Sequence, residues 1–103
     1  MKLTPVGQVI RRDDGITLRC GDWLLISSAQ GKGVGKLSGV WENKTRGWLF
    51  SIVFFRPFKE PQTRSTLFGS IENGRCATLE KAVKVDGPLK ANGKRPNPIV
   101  EVK

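Results

Sequence analysis

The sequence predicts an all-β chain folded as one small barrel of five to seven strands, and three observations predict it. Turn signals at Asp14-Gly15, Asn73-Gly74, Asp86-Gly87 and Asn92-Gly93 cut the chain into short apolar runs. Asn or Asp followed by Gly accepts the positive φ angles of tight hairpins, which is why such pairs punctuate strands. No long apolar repeat at helical spacing appears. With 103 residues the chain can bury one core but not two. The expected layout is a single domain over 1–103, with a barrel over 2–86, a basic Pro/Gly loop over 87–98 and a terminal strand over 99–102.

Taken in order, Lys2 to Arg12 reads as a first strand, with Val6 and Ile10 on one side and Val9 on the other. Ile16, Leu18 and Cys20 alternate with Thr17 and Arg19, the pattern of a half-buried strand. Trp23 to Ser28 is an apolar run short enough for a buried strand, and Gly31, Gly33 and Gly35 then suggest a flexible loop. Leu37 to Trp41 returns as a strand, and Glu42 to Gly47 turns. Trp48 to Phe58 is the strongest strand, with Trp48, Phe50, Ile52 and Phe54 on one face and Leu49, Val53 and Phe55 on the other. Pro57 and Pro61 stop it, and Glu60 to Ser65 reads as an exposed loop. Short strands near Thr66 to Ser70 and Ala82 to Val85 follow, with a single helical turn around Leu79.

Charge narrows the function. Lys plus Arg number 18 against 9 Asp plus Glu, a net charge of +9. Such a field concentrates polyanions, and neutralised phosphates release counterions, so nucleic acid is the expected partner, DNA ahead of RNA. With no histidine and no tyrosine the usual general bases are missing, and Glu42, Glu60, Glu72, Glu80 and Glu101 are scattered singly. The expectation is therefore a non-enzymatic protein with no cofactor and no metal. Cys20 and Cys76 stand far apart and form no CxxC pair. Met1 to Pro5 has no signal-like apolar run and nothing approaches a membrane-spanning length, so an intracellular protein, neither secreted nor in a membrane, is expected.

Three constellations could carry binding. Gly31-Lys32-Gly33-Val34-Gly35-Lys36 superficially resembles a phosphate-binding loop, but three residues separate Gly31 from Gly35 where the P-loop has four, and Leu37 follows the lysine where that loop has Ser or Thr. Nucleotide hydrolysis is rejected, leaving close backbone approach to a phosphate with help from Lys32 and Lys36, or simply a mobile hairpin loop. Trp41, Lys44, Arg46 and Trp48, then Phe54, Phe55, Arg56, Phe58 and Lys59, interleave aromatic rings with cations, as stacking on single strands requires. With only 3 Trp and 5 Phe, however, most rings are needed as core. Lys90, Lys94 and Arg95, among Pro, Gly and Asn, could wrap a phosphate backbone or serve as a solvated linker.

The order of five segments resembles the bromo-adjacent homology (BAH) domain: Gly21-Asp22-Trp23-Leu24-Leu25-Ile26, Gly35 to Glu42, Val53-Phe54-Phe55-Arg56-Pro57, Leu67-Phe68-Gly69-Ser70 and Lys81 to Val85. The likeness runs over residues 16–86, each piece being short and common in small β-barrels. It implies a distorted β-barrel that docks on chromatin, and in members that read methyl-lysine an aromatic cage. Phe55 matches one cage position as a possible partner contact, but Val34 and Val53 fall at the others, and Thr66 stands where an acidic residue is usual. An incomplete cage forfeits most of the cation–π attraction, which leaves tail reading in doubt.

Together these readings give an SH3-like, OB-like or BAH-like barrel that binds phosphates with weak sequence preference through Lys32, Lys36, Lys44, Arg46, Arg56, Lys59 and Arg64. Trp41 and Trp48 are candidate stacking surfaces, and Lys90, Lys94 and Arg95 a wrapping tail. The competing expectation is a protein-interaction adaptor, either a BAH-like chromatin contact or a viral or plasmid accessory protein docking on a host factor. The terminal strand could pair across a homodimer.

Overall fold

The computed structural model describes residues 1–28, 31–55, 64–88 and 94–99, with the backbone alone at 28, 31, 55 and 64. Strands β1 (Leu3–Val6), β2 (Val9–Arg12) and β3 (Thr17–Arg19) form a three-stranded antiparallel sheet in the order β1-β2-β3. Strands β4 (Trp23–Ser28), β5 (Gly31–Asn43), β6 (Gly47–Phe55), β7 (Arg64–Ile71) and, after helix α1 (Ala77–Glu80), β8 (Val83–Val85) form a second, ordered β7-β6-β5-β4-β8. The all-β expectation holds. Among the described residues the strands number eight rather than five to seven, and they lie in two antiparallel sheets with no closed barrel.

The extra strand comes from Gly7. It adopts φ 59° and, with Gln8, forms a two-residue turn that pairs Val6 with Val9. The single strand expected over Lys2 to Arg12 is therefore a hairpin, with Leu3 and Ile10 buried and Val6 exposed. Asn73 and Gly74, at φ 53° and 73°, make the expected turn after β7.

Backbone hooks join the sheets. Gly21 N–H donates to Leu37 O at 2.7 Å and Leu37 N–H to Asp22 O at 2.9 Å, so the chain leaving β3 is fastened to β5 before β4 begins. Leu3 N–H donates to Gly74 O at 2.7 Å, tying β1 to the turn beyond β7. Between the sheets lies one core of Leu3, Ile10 and Leu18 from the first, Leu24, Ile26, Leu37, Val40, Phe50, Ile52 and Ile71 from the second, and Leu79 and Ala82 from α1 and its exit. Each such large side chain contributes about 1.5–3 kcal/mol on burial. A four-residue helix has no stability of its own, and the fully buried Leu79 is what holds α1 in place.

The largest correction concerns the glycine-rich segment. Residues 31–36 are not a loop but the first half of β5, paired with β4 from Trp23↔Lys36 to Ser28↔Gly31. Their alternation is a strand alternation. Gly33 and Gly35 face inward, where the ring of Phe54 and the side chain of Ile52 occupy the space that a Cβ would need: at Gly35 it would lie 2.6 Å from Ile52 Cγ2 and 3.0 Å from Phe54. Gly35→Ala should therefore cost about 1–3 kcal/mol through overpacking, and a denaturant melt unchanged from wild type would show that the inner face has slack there.

The C-terminal segment also differs from expectation. Asp86 N–H donates to Asn97 O at 2.9 Å, Ile99 N–H to Lys84 O at 2.8 Å and Asn97 N–H to Asp86 Oδ1 at 3.0 Å, so residues 97–99 lie along β8 with Pro96 buried. Part of what reads as a free loop is thus docked on the sheet edge, and the expected strand over 99–102 falls outside the described residues after Ile99.

Candidate functional site

The five-stranded sheet has two faces, and its register assigns the residues to them. Inward point Leu24, Ile26, Leu37, Val40, Trp48, Phe50, Ile52, Phe54, Leu67 and Ile71. Outward, in cross-strand rows, stand Trp41–Leu49–Ser70, then Gly39–Ser51–Phe68, then Trp23–Lys36–Val53–Thr66, with Lys32 beside Ser27 further along. None of the described residues that face outward in these rows is acidic.

A bulge makes this face possible. Between Leu37 and Gly39 the register of β5 shifts by one, so that Ser38 and Gly39 both oppose Ser51. The Oγ atoms of Ser38 and Ser51 lie 2.6 Å apart, which satisfies the hydroxyl of the buried Ser51. Lys36 and Trp41 are five residues apart and would sit on opposite faces of a regular strand; the inserted residue puts both outside.

Two aromatic rings are presented there. A Cβ built at Gly39 would touch Trp41 Cζ3 at 3.5 Å, so the indole leans back along the sheet over the glycine, with the residue 38% exposed. Phe68, on the edge strand β7, is 69% exposed, the highest value among the large apolar side chains described. Lys36 Nζ sits 5.9 Å from the centroid of the Trp23 ring, within cation–π range.

The sequence-derived candidates separate accordingly. Lys32, Lys36 and Trp41 share the outer face. Lys44 and Arg46 are exposed at the β5–β6 turn, where Asn43 Oδ1 accepts from the N–H groups of Thr45 and Arg46 at 2.9 and 3.0 Å. Arg46 lines a shallow depression there with Glu72, whose carboxylate tempers the local charge. Trp48 faces inward and packs, partly buried, against the core, on the opposite face of the sheet from Trp41. Lys94 and Arg95 are exposed just before the segment docked on β8. Arg56, Lys59 and Lys90 lie outside the described residues, as do the side chains of Phe55 and Arg64. Val34 and Val53, at the cage positions that the BAH likeness implies, are buried aliphatic residues of the outward face.

Sequence reasoning missed Phe68 and Trp23. The usable signal for Phe68 was the alternation of Thr66, Phe68 and Ser70 against Leu67, Gly69 and Ile71, which sets it on the polar side of its strand.

Three carboxylates are held in ion pairs away from this face. Asp14 pairs with Arg12 at 2.7 Å, Asp22 with Lys84 at 3.3 Å, and Glu80 with Arg75 at 2.7 Å. Among the described residues Lys32, Lys36, Lys44 and Arg46 have no ion-pair partner. Cys20 and Cys76 are free thiols, and burial pushes the Cys20 thiol above its ordinary range, with Asp22 adding to the rise against a lowering hydrogen bond from the Val40 backbone. Among the described residues no three His, Cys, Asp or Glu side chains gather as a metal site, and no helix is long and apolar enough to cross a membrane. No family model, no curated protein and no solved structure matches the chain.

Proposed function

We propose that the protein is a non-enzymatic nucleic-acid-binding module that holds phosphates through a basic surface and reads little sequence. The observation that supports this most directly is the outward sheet face, where Lys36 lies over the Trp23 ring and Lys32 precedes it by four residues on the same strand, with no acidic residue among the outward positions of the described rows. Cations free of carboxylates keep their full attraction for a polyanion, whereas paired ones would have to give up a partner first. The raised thiol of Cys20 fits a binding protein better than a nucleophilic enzyme, since less thiolate is present near neutral pH. The hooks at Leu37 and Gly74, where the sheets approach, support a barrel of SH3-like, OB-like or BAH-like type as the parent architecture.

The test is a salt titration of binding to labelled DNA. Four engaged cations, Lys32, Lys36, Lys44 and Arg46, should give a slope of log K against log salt of about −3, and Lys32→Glu with Lys36→Glu should flatten it by about 2. Affinity that is indifferent to salt sinks the proposal. The second reading, a protein-interaction adaptor, is favoured by the exposure of Phe68 and Trp41 together. It would be supported by a protein partner whose capture requires those rings while the lysine reversals change nothing.

A further inference from the structure

The outer face of the five-stranded sheet combines features that a duplex cannot use. B-form DNA buries its base faces within the stack and offers phosphates and groove edges, which flat rings on a sheet do not meet. Trp41 and Phe68 are partly or largely exposed, and on the strand between theirs Leu49 stands beside Trp41 while the small Ser51 stands beside Phe68, next to Gly39 and Ser38. Trp41 lies on β5 and Phe68 on β7 with one strand between, so their backbones are about 10 Å apart across the sheet. The next row carries Lys36 over Trp23, a cation on the same face. A partner complementary to this face has exposed π surfaces at intervals and a negative backbone running beside them.

We propose that the occupant is a single-stranded nucleic acid whose bases stack on Trp41 and Phe68 while its phosphates run past Lys36 and Lys32. This rests on the phosphate-binding reading above and adds to it the strandedness of the ligand and the rings that hold it. Stacking is tolerant of sequence because every base has a π face, and it is worth about 5- to 150-fold in affinity per base. The indole of Trp41, leaning over Gly39, is held in place before the ligand arrives, so little side-chain freedom is lost on binding.

The experiment compares binding of a fluorescein-labelled 12-nucleotide oligothymidine and a mixed-sequence duplex of equal length, with wild type, Trp41→Leu, Phe68→Leu and Lys36→Gln. The leucine variants keep an apolar side chain and remove the π face; thermal melts coinciding with wild type confirm that the fold is retained. A variant with an altered melt is replaced by quenching of the wild-type tryptophan fluorescence, which oligothymidine should produce and the duplex should not. The expected result is tighter binding of the single strand, weakened about 5- to 100-fold by either leucine variant, with the duplex affected less than about twofold. Equal or negligible losses on both ligands, with steep salt dependence retained, overturn the stacking inference and leave the phosphate reading standing. No binding of either nucleic acid by wild type removes both. A concentration-dependent dimer abolished by Phe68→Leu, in a protein whose oligonucleotide binding the leucine variants leave unchanged, would assign the face to protein contact instead.

Discussion

Phe50→Ala is expected to lower stability by about 3–5 kcal/mol, the range for deleting a fully buried ring. Phe50 is 1% exposed at the centre of β6, and its ring reaches across β7 so closely that a Cβ at Gly69 would lie 2.4 Å from Cζ. No smaller neighbour can move in to fill the space, because Gly69 has no side chain to extend and the flanking positions are strand backbone. For a domain with a typical 5–15 kcal/mol of total stability, this removes a large share, equivalent to a fall in melting temperature of at least about 12 °C. Urea denaturation followed by fluorescence and circular dichroism checks it. A loss under about 1 kcal/mol would mean that the two sheets do not close over this ring as described.

The second large effect concerns Arg12. Its side chain is 8% exposed; Nη1 donates to Ala82 O at 2.6 Å and Nη2 to Asp14 Oδ2 at 2.7 Å, while Nε is buried and has no hydrogen-bond partner. A guanidinium so placed has lost water on all sides and depends on Asp14 for compensation. Asp14→Asn retains the amide oxygen that can still accept from Ile16 N–H, as Asp14 Oδ1 does at 3.1 Å, but removes the charge. It should cost about 2–3 kcal/mol, below the full penalty for breaking a buried pair because Asp14 is 30% exposed. Arg12→Met should cost less than about 1 kcal/mol, since it removes the buried charge and the orphaned Nε together and keeps the apolar stem. The reverse order in paired denaturant melts would show that the bond to Ala82, which ties the first sheet to the segment before β8, matters more than the ion pair.

The strand content was legible because alternation is a local signal. Trp48, Phe50, Ile52 and Phe54 against Leu49 and Val53 could be divided between faces from sequence, and β6 divides them that way. The turns at Asp14-Gly15 and Asn73-Gly74 were legible for the same reason: positive φ leaves a dipeptide signature, and Gly15 reaches φ 93°. Gly7 escaped because it lacks an Asn or Asp neighbour. The glycines of β5 misled because a glycine that makes room for a ring looks, in sequence, like one that frees a loop; only the position of Phe54 across the ladder distinguishes them. Trp48 and Trp41 were indistinguishable as surface or core, since that depends on which face of the hairpin meets the other sheet. The alternation of β7 sets Phe68 on its polar side, but its exposure depends on the pairing of β7 at the edge of the sheet beside β6, which is non-local.

The single inserted residue at Ser38 acts as a phase change in the chain. Upstream of it the even-numbered residues of β5 lie on the outer face of the sheet, as Lys32, Val34 and Lys36 do; downstream the odd-numbered ones do, as Trp41 does. Excising Ser38 would join Leu37, opposite Ile52, directly to Gly39, opposite Ser51, in one regular ladder that keeps Lys36 and Trp41 outside and Val40 inside, whereas losing a residue elsewhere in the strand would turn one half of it over. Because β5 is hydrogen-bonded on both sides, a frameshift elsewhere in it could not be absorbed at an edge, so length changes in this protein should be tolerated in its turns and at the bulge but not in the rest of its longest strand.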